Sequence, residues 1–383
     1  MTQALSGLRV LDLSMNLPGP YMTWLLAALG AEVVKIENPA GGDYARALMA
    51  QGNSSPFFAA VNRNKKSVTL NLKHPEGQQI FMGLLDRYDV VVEGFRPGTM
   101  ERLGVGYDVT RARNPRLIHV SITGYGHDGP YRLRAGHDLN YLSLAGIIGM
   151  TGTRQGEPGI PGVQVADLAG GALLGLAGLL AAVIQREKTG RGQFVDAAMF
   201  DGSISMATMV FAGVAAGMEI AEPGKMLLNG RFPCYGLYVT KDGKYMSLGA
   251  LEPKFWLNFC EAAGRQDLKP GQFGGEDILA EVRRTFESHT RDEWIELLKD
   301  ADACCEPVLN LADAVESPLA KARKMINQSP DGASFIACPL KLSDSPSPED
   351  IPAPDLGRDN KEILGCLGLS SDDLASLKQK GVI

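Results

Sequence analysis

The chain has 383 residues, of which 45% are hydrophobic and 21% charged, and its formal net charge is −6. These are the values of an ordinary globular protein, so they exclude collagen-like, coiled-coil and disordered chains. The length exceeds what one hydrophobic core usually supports, so we expect two domains, or one large domain with a subdomain. The acidic balance and the lack of a long basic run exclude nucleic acid as the main partner. An anionic ligand would therefore need a local group of cations.

Segments typical of strands and helices alternate through the first 125 residues. The predicted strands are residues 8–13, 32–37, 67–72, 90–92 and 117–122, and the predicted helices are residues 18–29 and 75–87. Strands separated by single helices predict a parallel sheet with crossover helices. We therefore expect an α/β fold with a large Rossmann-like domain over residues 1–220. A strand at 194–198 and a long helix from 201 to about 217 complete it.

The second half of the chain has a different texture. An Asp-Gly turn at residues 241–244 joins the alternating segments 235–240 and 245–248, which predicts a β-hairpin. Helices are predicted at residues 254–263, 278–288 and 291–299. These elements predict a smaller α+β domain over residues 221–330. Residues 331–383 are expected to return to the large domain, through an extended Ser- and Pro-rich stretch at 343–354 and a closing capped helix.

One apolar stretch, residues 168–184, carries no charge. It is just shorter than the roughly 18 to 20 residues that a spanning helix needs. Because it is rich in Gly and Ala, it predicts a helix buried on all sides rather than a membrane span. The six cysteines lie in the second half without C-x-x-C spacing, which is typical of reduced thiols in a cytosolic protein. We expect a cytoplasmic protein with no signal peptide and no membrane partner.

The common nucleotide, hydrolase and metal motifs are absent from the sequence. No G-x-G-x-x-G follows the first strand, and neither G-x-x-x-x-G-K-[ST] nor G-x-S-x-G occurs. The five histidines show no metal-ligand spacing, so no metal site is expected.

A Gly-His-Asp tripeptide occurs twice, at residues 126–128 and 136–138. Histidine is the natural general base near neutral pH, and the adjoining carboxylate could orient it or stabilise its charge. The alternative for either copy is a histidine that caps a loop or fills the core. Nothing local distinguishes His127 from His137.

Two acidic residues could take part in catalysis. Asp167 lies in the first turn of the apolar helix, where it is either a helix N-cap or a carboxylate that the helix dipole keeps ionised. Gly170 and Gly171 would leave room for a ligand beside it. Glu252 follows the predicted hairpin, where it is either a solvated helix start or a site residue.

Two arginines, Arg96 and Arg102, follow the predicted strand 90–92. Open α/β sheets bind ligands at the carboxyl ends of their strands, and arginine binds phosphate bidentately. The alternative is a pair of solvated loop charges.

Segments along the whole chain resemble the class III CoA-transferase (CaiB–BaiF) family and, within it, the α-methylacyl-CoA racemases. The matching segments are residues 7–13, 18–20, 29–37, 96–98, 124–126, 189–193, 242–245 and 380–383. The racemase motif Gly-His-Asp-x-Asn-Tyr matches residues 136–141 and not the copy at His127.

The resemblance implies a reaction and its residues. His137 and Asp167 would exchange the α-proton of a 2-methylacyl-CoA thioester through a planar enolate, each acting as the base for one enantiomer. Glu252 would orient or charge His137, and backbone N–H groups near Asp167 would stabilise the enolate oxygen. In the family's transferases the residue that matches Asp167 attacks the thioester and becomes an aspartyl-CoA thioester. A CoA-transferase is therefore the alternative.

Several residues bear on the choice between the two reactions. Transferases of the formyl-CoA type carry a glycine-rich loop that residues 248–252 lack, and transferases generally lack the motif histidine, which favours a racemase. Two positions depart from the racemase pattern. Val163 replaces an asparagine four residues before Asp167, and Asn38 replaces an arginine that contacts CoA.

The resemblance also implies a ligand and an assembly. Coenzyme A would be carried as part of the acyl-CoA substrate, with no separate cofactor. Family members are interlocked homodimers whose active sites lie between the large domain of one chain and the small domain of the other. The residues expected to contact CoA are Arg96, Arg102, Lys35, Leu72, Lys73 and Tyr141.

Overall fold

The structure is a computed structural model that describes residues 2–50, 55–328 and 332–383. The chain forms two compact units. The first comprises the chain up to Ala145 together with Val163–Met206 and Ala322–Ile383, and the second comprises Gly146–Gly162 and Ala207–Lys321. The predicted domain boundaries at 220 and 330 stay predictions.

The strands and helices of the described residues run as follows. The strands are β1 Arg9–Asp12, β2 Glu32–Glu37, β3 Lys65–Thr69, β4 Val90–Glu93, β5 Ile118–Thr123, β6 Phe194–Ala198, β7 Tyr235–Val239, β8 Tyr245–Gly249, β9 Cys305–Pro307, β10 Ile326–Gln328 and β11 Ser334–Ile336. The helices are α1 Pro18–Ala28, α2 Pro56–Asn62, α3 Pro75–Leu84, α4 Thr99–Arg102, α5 Tyr107–Arg113, α6 Asp138–Leu144, α7 Ile147–Met150, α8 Leu174–Thr189, α9 Met199–Ser205, α10 Thr208–Ala215, α11 Pro253–Ala262, α12 Glu276–Phe286, α13 Arg291–Leu298, α14 Leu311–Glu316, α15 Pro318–Ala322, α16 Asn360–Gly365 and α17 Ser371–Gln379. A π-helical segment, Ala166–Leu173, leads directly into α8, and short 3₁₀ turns lie at Tyr44–Arg46 and Gln266–Gly271.

The first unit is built on a six-stranded parallel sheet, which confirms the predicted α/β fold. The strand order is β3-β2-β1-β4-β5-β6. This is the order of Rossmann folds, which bind ligands outside the carboxyl ends of the strands, where the order reverses. The reversal lies here between β1 and β4. The loops that follow β1, β4 and β5 are therefore where this sheet can offer a ligand site.

Most residues of the sheet strands are buried because both faces of the sheet are covered. The core between the sheet and its neighbours includes Leu11, Val34, Val68 and Val91, each of them buried. Parallel strands covered on both faces read as continuous apolar runs rather than as alternating patterns. The sequence located these strands to within about three residues, with the largest offset at β3.

The apolar helix is not buried on all sides, and that expectation is wrong. Its small and branched residues at helical spacing, such as Leu179 and Ala182, are fully buried, whereas Leu174 and Ile184 on other faces are 46% and 60% exposed. Among the described residues, Ala166–Thr189 is long and apolar enough to cross a membrane. An exposed apolar strip of this kind is typical of a surface that associates with another apolar surface.

The prediction of one continuous helix over 201–217 is also wrong. The chain forms α9 and α10, separated at Met206 and Ala207. The break coincides with the boundary between the two units, which lies after Met206. Hydrophobic periodicity continues through the break, so it gave no signal for two helices.

The second unit contains the predicted hairpin. Strands β7 and β8 pair in antiparallel fashion, with Gly243 of the Asp-Gly turn at φ +72°, and β9 adds to β8 on its other side. The core of this unit is aromatic: Phe259, Phe286 and Trp294 are all fully buried and lie within 6.3 Å of one another between ring centroids. The helices that carry these rings were predicted, whereas the three-residue strand β9 was not.

Candidate active site

Helix α6 begins at the second Gly-His-Asp copy. His137 takes the N-cap position with extended backbone angles, and its N–H donates to the side-chain oxygen of Asn140 at 3.0 Å. This reciprocal cap explains the Asn of the motif, because it satisfies a backbone donor at the helix start. The His137 side chain is exposed. It is therefore accessible to a ligand.

Tyr141 ties the start of this helix to the loop that precedes it. Its hydroxyl donates to the carbonyl of Gly136 at 2.6 Å. A Cβ at Gly124 or at Gly136 would lie 2.5 or 2.6 Å from the Tyr141 ring, so only glycine fits at both positions. Burial raises the pKa of Tyr141 above its usual range, so it stays a neutral phenol. Tyr141 thus fixes the backbone next to His137.

Asp167 lies next to the histidine motif through Asp138. The backbone N–H of Asp167 donates to Oδ1 of Asp138 at 3.0 Å. This bond joins the π-helical segment to the first turn of α6, and so brings the sequence neighbour of His137 against Asp167. The sequence had offered Asp138 only as a partner for its own histidine. Its bond to residue 167 depends on the tertiary fold.

Asp167 does not have the charge state that the helix dipole predicted. Burial, together with the negative charge of Asp138, raises the pKa of its carboxyl group to about 7. The expectation of a permanently ionised carboxylate is therefore wrong, because desolvation and like-charge repulsion outweigh the dipole. A carboxyl group with this pKa can accept and donate a proton at neutral pH.

One expectation about the surroundings of Asp167 is also corrected. Gly170 leaves no room for a ligand, since a Cβ there would lie 2.8 Å from the carbonyl oxygen of Met199 in α9. Two backbone amides near Asp167 are already bonded, that of Asp167 to Asp138 and that of Leu168 to the carbonyl of Gln164 at 2.9 Å, and the stabilisation of an enolate by amides of this segment stays a prediction. The glycines here serve helix packing.

The predicted arginines lie after β4, at the carboxyl edge of the sheet. Arg96 is exposed, and its positive charge acts on Tyr141 together with the charges of Asp167 and Asp138. The fold therefore brings Arg96 into the surroundings of the two motifs. Arg102 is exposed one turn further on and donates to the Thr99 hydroxyl at 2.8 Å.

Lys35 has no exposed ammonium group for a phosphate, which corrects its predicted role. It is fully buried in β2, where its Nζ lies 2.9 Å from Asp43 and donates to the Ser14 carbonyl at 2.7 Å. An ammonium in a buried parallel strand needs such partners to offset desolvation. Lys73 is exposed after β3, and Leu72 is half-buried against the core of the first unit.

Glu252 belongs to the second unit. It follows β8 and forms the N-cap of α11, with an exposed side chain. Its carbonyl accepts the backbone N–H of Phe255 at 3.1 Å. The residue lies at the end of the hairpin, as the sequence predicted, and its proposed partnership with His137 stays a prediction.

The two Gly-His-Asp copies differ in their surroundings. His127 is half-buried, and its Nε2 lies 2.7 Å from the hydroxyl of Ser121 in β5. Beneath it, Glu93 at the end of β4 is buried, and burial raises the pKa of its carboxyl group to about 7. Sequence reasoning missed Glu93 and Ser121. In both cases a polar residue in, or directly after, a predicted buried strand could have indicated a functional role.

Thiol and metal chemistry have little support in the described ranges. The six cysteines are free, and Cys234, Cys260 and Cys338 are buried whereas Cys304 and Cys366 are exposed. No group of three or more His, Cys, Asp or Glu side chains that could hold a metal ion occurs among the residues that the structure describes. The absence of a metal site stays a prediction.

Comparison with known proteins places these features in a family. Residues 5–360 match the model of CoA-transferase family III. The chain is 32% identical over 385 residues to the alpha-methylacyl-CoA racemase of Homo sapiens, with 99% of this chain and 97% of the relative covered. It is 35% identical over 406 residues to an acyl-CoA transferase of Fusarium pseudograminearum, with 99% and 88% covered.

A solved structure shares the fold. A CAIB/BAIF family protein from Brucella suis is 29% identical, has a TM-score of 0.83, and is matched over 96% of this chain and 100% of its own. The relatives' names include both a racemase and a transferase. With the family model spanning most of the sequence and the parallel sheet in the expected order, the chain belongs to CoA-transferase family III.

Proposed function

We propose that this enzyme racemises the α-carbon of 2-methylacyl-CoA thioesters by 1,1-proton transfer between two bases. The observation that carries the proposal is the pKa of Asp167, raised to about 7 by burial and by Asp138. A two-base reaction needs each base in its deprotonated form for one enantiomer and in its protonated form for the other. A carboxyl group that is half-ionised at neutral pH serves both roles.

His137 is the second base. It is exposed at the N-cap of α6, and the adjacent residue Asp138 is bonded to Asp167. In the proposed reaction one of the two side chains removes the α-proton, the electron pair moves into the thioester carbonyl to give a planar enolate, and the other side chain returns a proton to the opposite face. We propose that Glu252 assists His137 by orienting it or by stabilising its charge, on the family resemblance alone.

The substrate's phosphates need cations, since the chain as a whole carries a net charge of −6. We propose Arg96, Arg102 and Lys73 for this role, because all three are exposed near the carboxyl edge of the sheet or at the strand that flanks it. Arginine suits phosphate because its guanidinium can donate two parallel hydrogen bonds. Leu72 and Tyr141 would contact the rest of the coenzyme, and no further cofactor is required.

We further propose an interlocked homodimer in the cytoplasm. The resemblance supports the assembly, and so do the exposed apolar residues Ile184 on α8 and Phe211 on α10, which are 60% and 72% exposed in the single chain. Dimer formation would remove such surfaces from water. The free cysteines suit a reducing compartment.

The alternative is a CoA-transferase, which the name of the Fusarium relative favours. In that reaction the Asp167 carboxylate would attack the thioester carbonyl and CoA would leave as the thiolate, which gives a mixed anhydride. The thiolate would then attack the aspartyl carbonyl and release the donor acid as its carboxylate, which leaves an aspartyl-CoA thioester. An acceptor carboxylate would displace CoA from Asp167 to form a second mixed anhydride, and the thiolate would attack the acceptor's carbonyl to give the new acyl-CoA and free Asp167.

One experiment separates the two reactions. A chiral 2-methylacyl-CoA is incubated with the enzyme in D₂O, once without and once with a free carboxylic acid. Loss of chirality with deuterium at the α-carbon in the absence of the acid supports the racemase. Transfer of CoA to the acid, abolished by Asp167→Asn and spared by His137→Ala, would replace the proposal by the alternative. The matched control is His289→Ala, since His289 lies in the second unit beside Trp294.

A further inference from the structure

A row of polar side chains crosses the sheet beneath the loop that leads to His137. Glu93 of β4 is the register partner of Ser121 in β5, and Ser121 is the register partner of Asp196 in β6. Register partners in neighbouring parallel strands point their side chains to the same face of the sheet. Glu93 and Ser121 are buried. The row therefore forms a polar floor close to the carboxyl edge of the sheet.

His127 rests on this floor. Its backbone N–H donates to Oδ2 of Asp196 at 2.9 Å, and its ring nitrogen Nε2 lies 2.7 Å from the hydroxyl of Ser121. The same nitrogen lies 4.0 Å from Oε1 of Glu93. The ring also packs edge-on against the Phe194 ring, with 4.9 Å between the ring centroids. Main chain and side chain of His127 are thus both fixed to the sheet.

The direction of the hydrogen bonds follows from proton counting. The Ser121 hydroxyl has one proton, and it donates that proton to Glu93 when the carboxyl group is ionised. The Ser121 oxygen can then only accept from His127, so Nε2 of His127 carries its proton and donates. Burial, with smaller contributions from the charges of Glu101 and Asp196, raises the pKa of Glu93 to about 7. The donating arrangement therefore forms as Glu93 ionises, in about half of the molecules at pH 7 and in most of them at higher pH.

The loop continues from His127 to His137. Residues 128–135 are exposed, and the chain returns to the protein at Gly136, whose carbonyl accepts the Tyr141 hydroxyl. The Tyr125 ring, two residues before His127, packs edge-on against the Tyr141 ring with 5.1 Å between centroids. A shift at His127 would therefore reach the backbone of His137 through these two tyrosines.

We propose that His127 is a positioning residue for His137, anchoring the loop at residues 124–136 to the sheet through Ser121 and Glu93. The inference rests on the proposed function, in which His137 is a base that must meet the substrate's α-carbon. Misplacement of such a group by about 1 Å can cost about a hundredfold in rate. The first Gly-His-Asp copy would thus serve the second one without touching substrate.

Three single variants and one double variant test whether His127 positions His137. In His127→Ala, kcat for α-proton exchange should fall about 10- to 100-fold while KM changes by less than about threefold. His127→Gln keeps an amide N–H at the place of Nε2, so its kcat should stay within about threefold of the wild type. Ser121→Ala removes the acceptor and should resemble His127→Ala. The double variant should be no slower than either single variant, because residues that act through one link are not additive.

A readout that does not depend on turnover accompanies the kinetics. The chain has five histidines, so imidazole signals can be resolved in a protein with labelled histidine, and the His137 signal is assigned with His137→Gln. We expect His127→Ala to shift the His137 signal and His289→Ala to leave it in place. Thermal unfolding of every variant shows whether it has folded, and Ser121→Ala keeps the test decisive if His127→Ala has not.

The outcomes separate the two proposals. If the wild type racemises and folded His127→Ala keeps its full kcat, or if folded His127→Gln is as slow as His127→Ala, the positioning role is overturned and the proposed function stands. If the wild type shows no α-proton exchange, the proposed function falls, and the positioning role falls with it. A slow alanine variant, an active glutamine variant and a shifted His137 signal together support the inference.

Discussion

At the scale of single residues, the central feature is the charge state of Asp167. The carboxyl group is partly buried, and this burial, with the charge of Asp138, raises its pKa to about 7. Racemisation in both directions uses the ionised form as a base and the protonated form as an acid. Attack on a thioester uses only the ionised form. The environment of Asp167 therefore supplies both forms that the proposed racemisation uses.

The pH dependence of exchange should report this pKa. For the enantiomer on which Asp167 is the base, kcat/KM should rise with pH around a midpoint near 7, because only the ionised carboxylate can remove the α-proton. Asp138→Asn removes the neighbouring negative charge and keeps an oxygen that can accept the Asp167 N–H. The midpoint should then move to lower pH. An unmoved midpoint in a folded, active variant would show that another group controls the profile.

Asp167 should also destabilise the fold at high pH. A carboxyl group whose pKa is raised on folding imposes no stability penalty below its ordinary pKa of 3.8, and an increasing penalty as the pH rises from there to about 7. Asp167→Asn should therefore raise the melting temperature by a few degrees at pH 8 and by little at pH 4. The measurement is thermal unfolding followed by circular dichroism. A gain of the same size at both pH values would mean that ionisation is not the cause.

The structure brings part of the predicted site together and corrects the predicted states of some of its residues. His137 and Asp167 were chosen by motif, and the structure places Asp138 between them. The motif could not reveal that Asp167 is desolvated, because its burial comes from elements distant in the chain. Lys35 was misjudged for the same reason, since a lysine in a predicted strand gives no sign of the buried Asp43 that pairs with it.

At the scale of elements, the π-helical segment that carries Asp167 is held by a very close approach to α9. A Cβ at Gly202 would lie 2.2 Å from the carbonyl oxygen of Gly170. Backbone atoms cannot move aside to accommodate an added methyl group, as the end of a flexible side chain can. The sequence predicted the apolar helix and the strand before α9. It could not predict this close approach, because a glycine within a helical segment gives no pattern that identifies the element it packs against.

Adding one methyl group at this crossing should be costly. Gly202→Ala should lower the free energy of unfolding by about 3 kcal/mol, because it overpacks two backbones. Denaturant unfolding measures the loss. Gly365→Ala is the matched control, since that exposed position at the end of α16 has no atom within 4 Å of an added Cβ and no positive φ. It should leave stability unchanged or raise it by about 0.5 kcal/mol. Equal effects at the two sites would contradict the close approach.

At the scale of the whole molecule, the chain exposes more apolar helix surface than is typical of a monomeric globular protein. In the first unit Leu174 and Ile184 are 46% and 60% exposed on α8, and in the second unit Met209 and Phe211 are 63% and 72% exposed on α10. Composition did not reveal this, because the overall share of hydrophobic residues is ordinary. The exposure can be recognised only once the structure shows which face of each helix packs against the core and which faces solvent.

We expect the protein in solution to have twice the 41.0 kDa mass of the chain. Light scattering coupled to size exclusion measures this mass. Phe211→Glu would place a charge on the exposed face of α10 and should shift the population towards monomer, since burying an unpaired charge is unfavourable. Val109→Glu, on an exposed position of α5, is the control and should leave the mass unchanged. A monomeric wild type would contradict the dimer.

The two-base assignment is tested most directly by following deuterium exchange at the α-carbon separately from each enantiomer of one 2-methylacyl-CoA. The wild type should exchange and invert both enantiomers. His137→Gln and Asp167→Asn should each exchange one enantiomer only, a different one for each variant, and neither should racemise. The account is contradicted if His137→Gln still racemises, or if Asp167→Asn alone abolishes all turnover while His137→Gln is unaffected, since Asp167 would then act without His137.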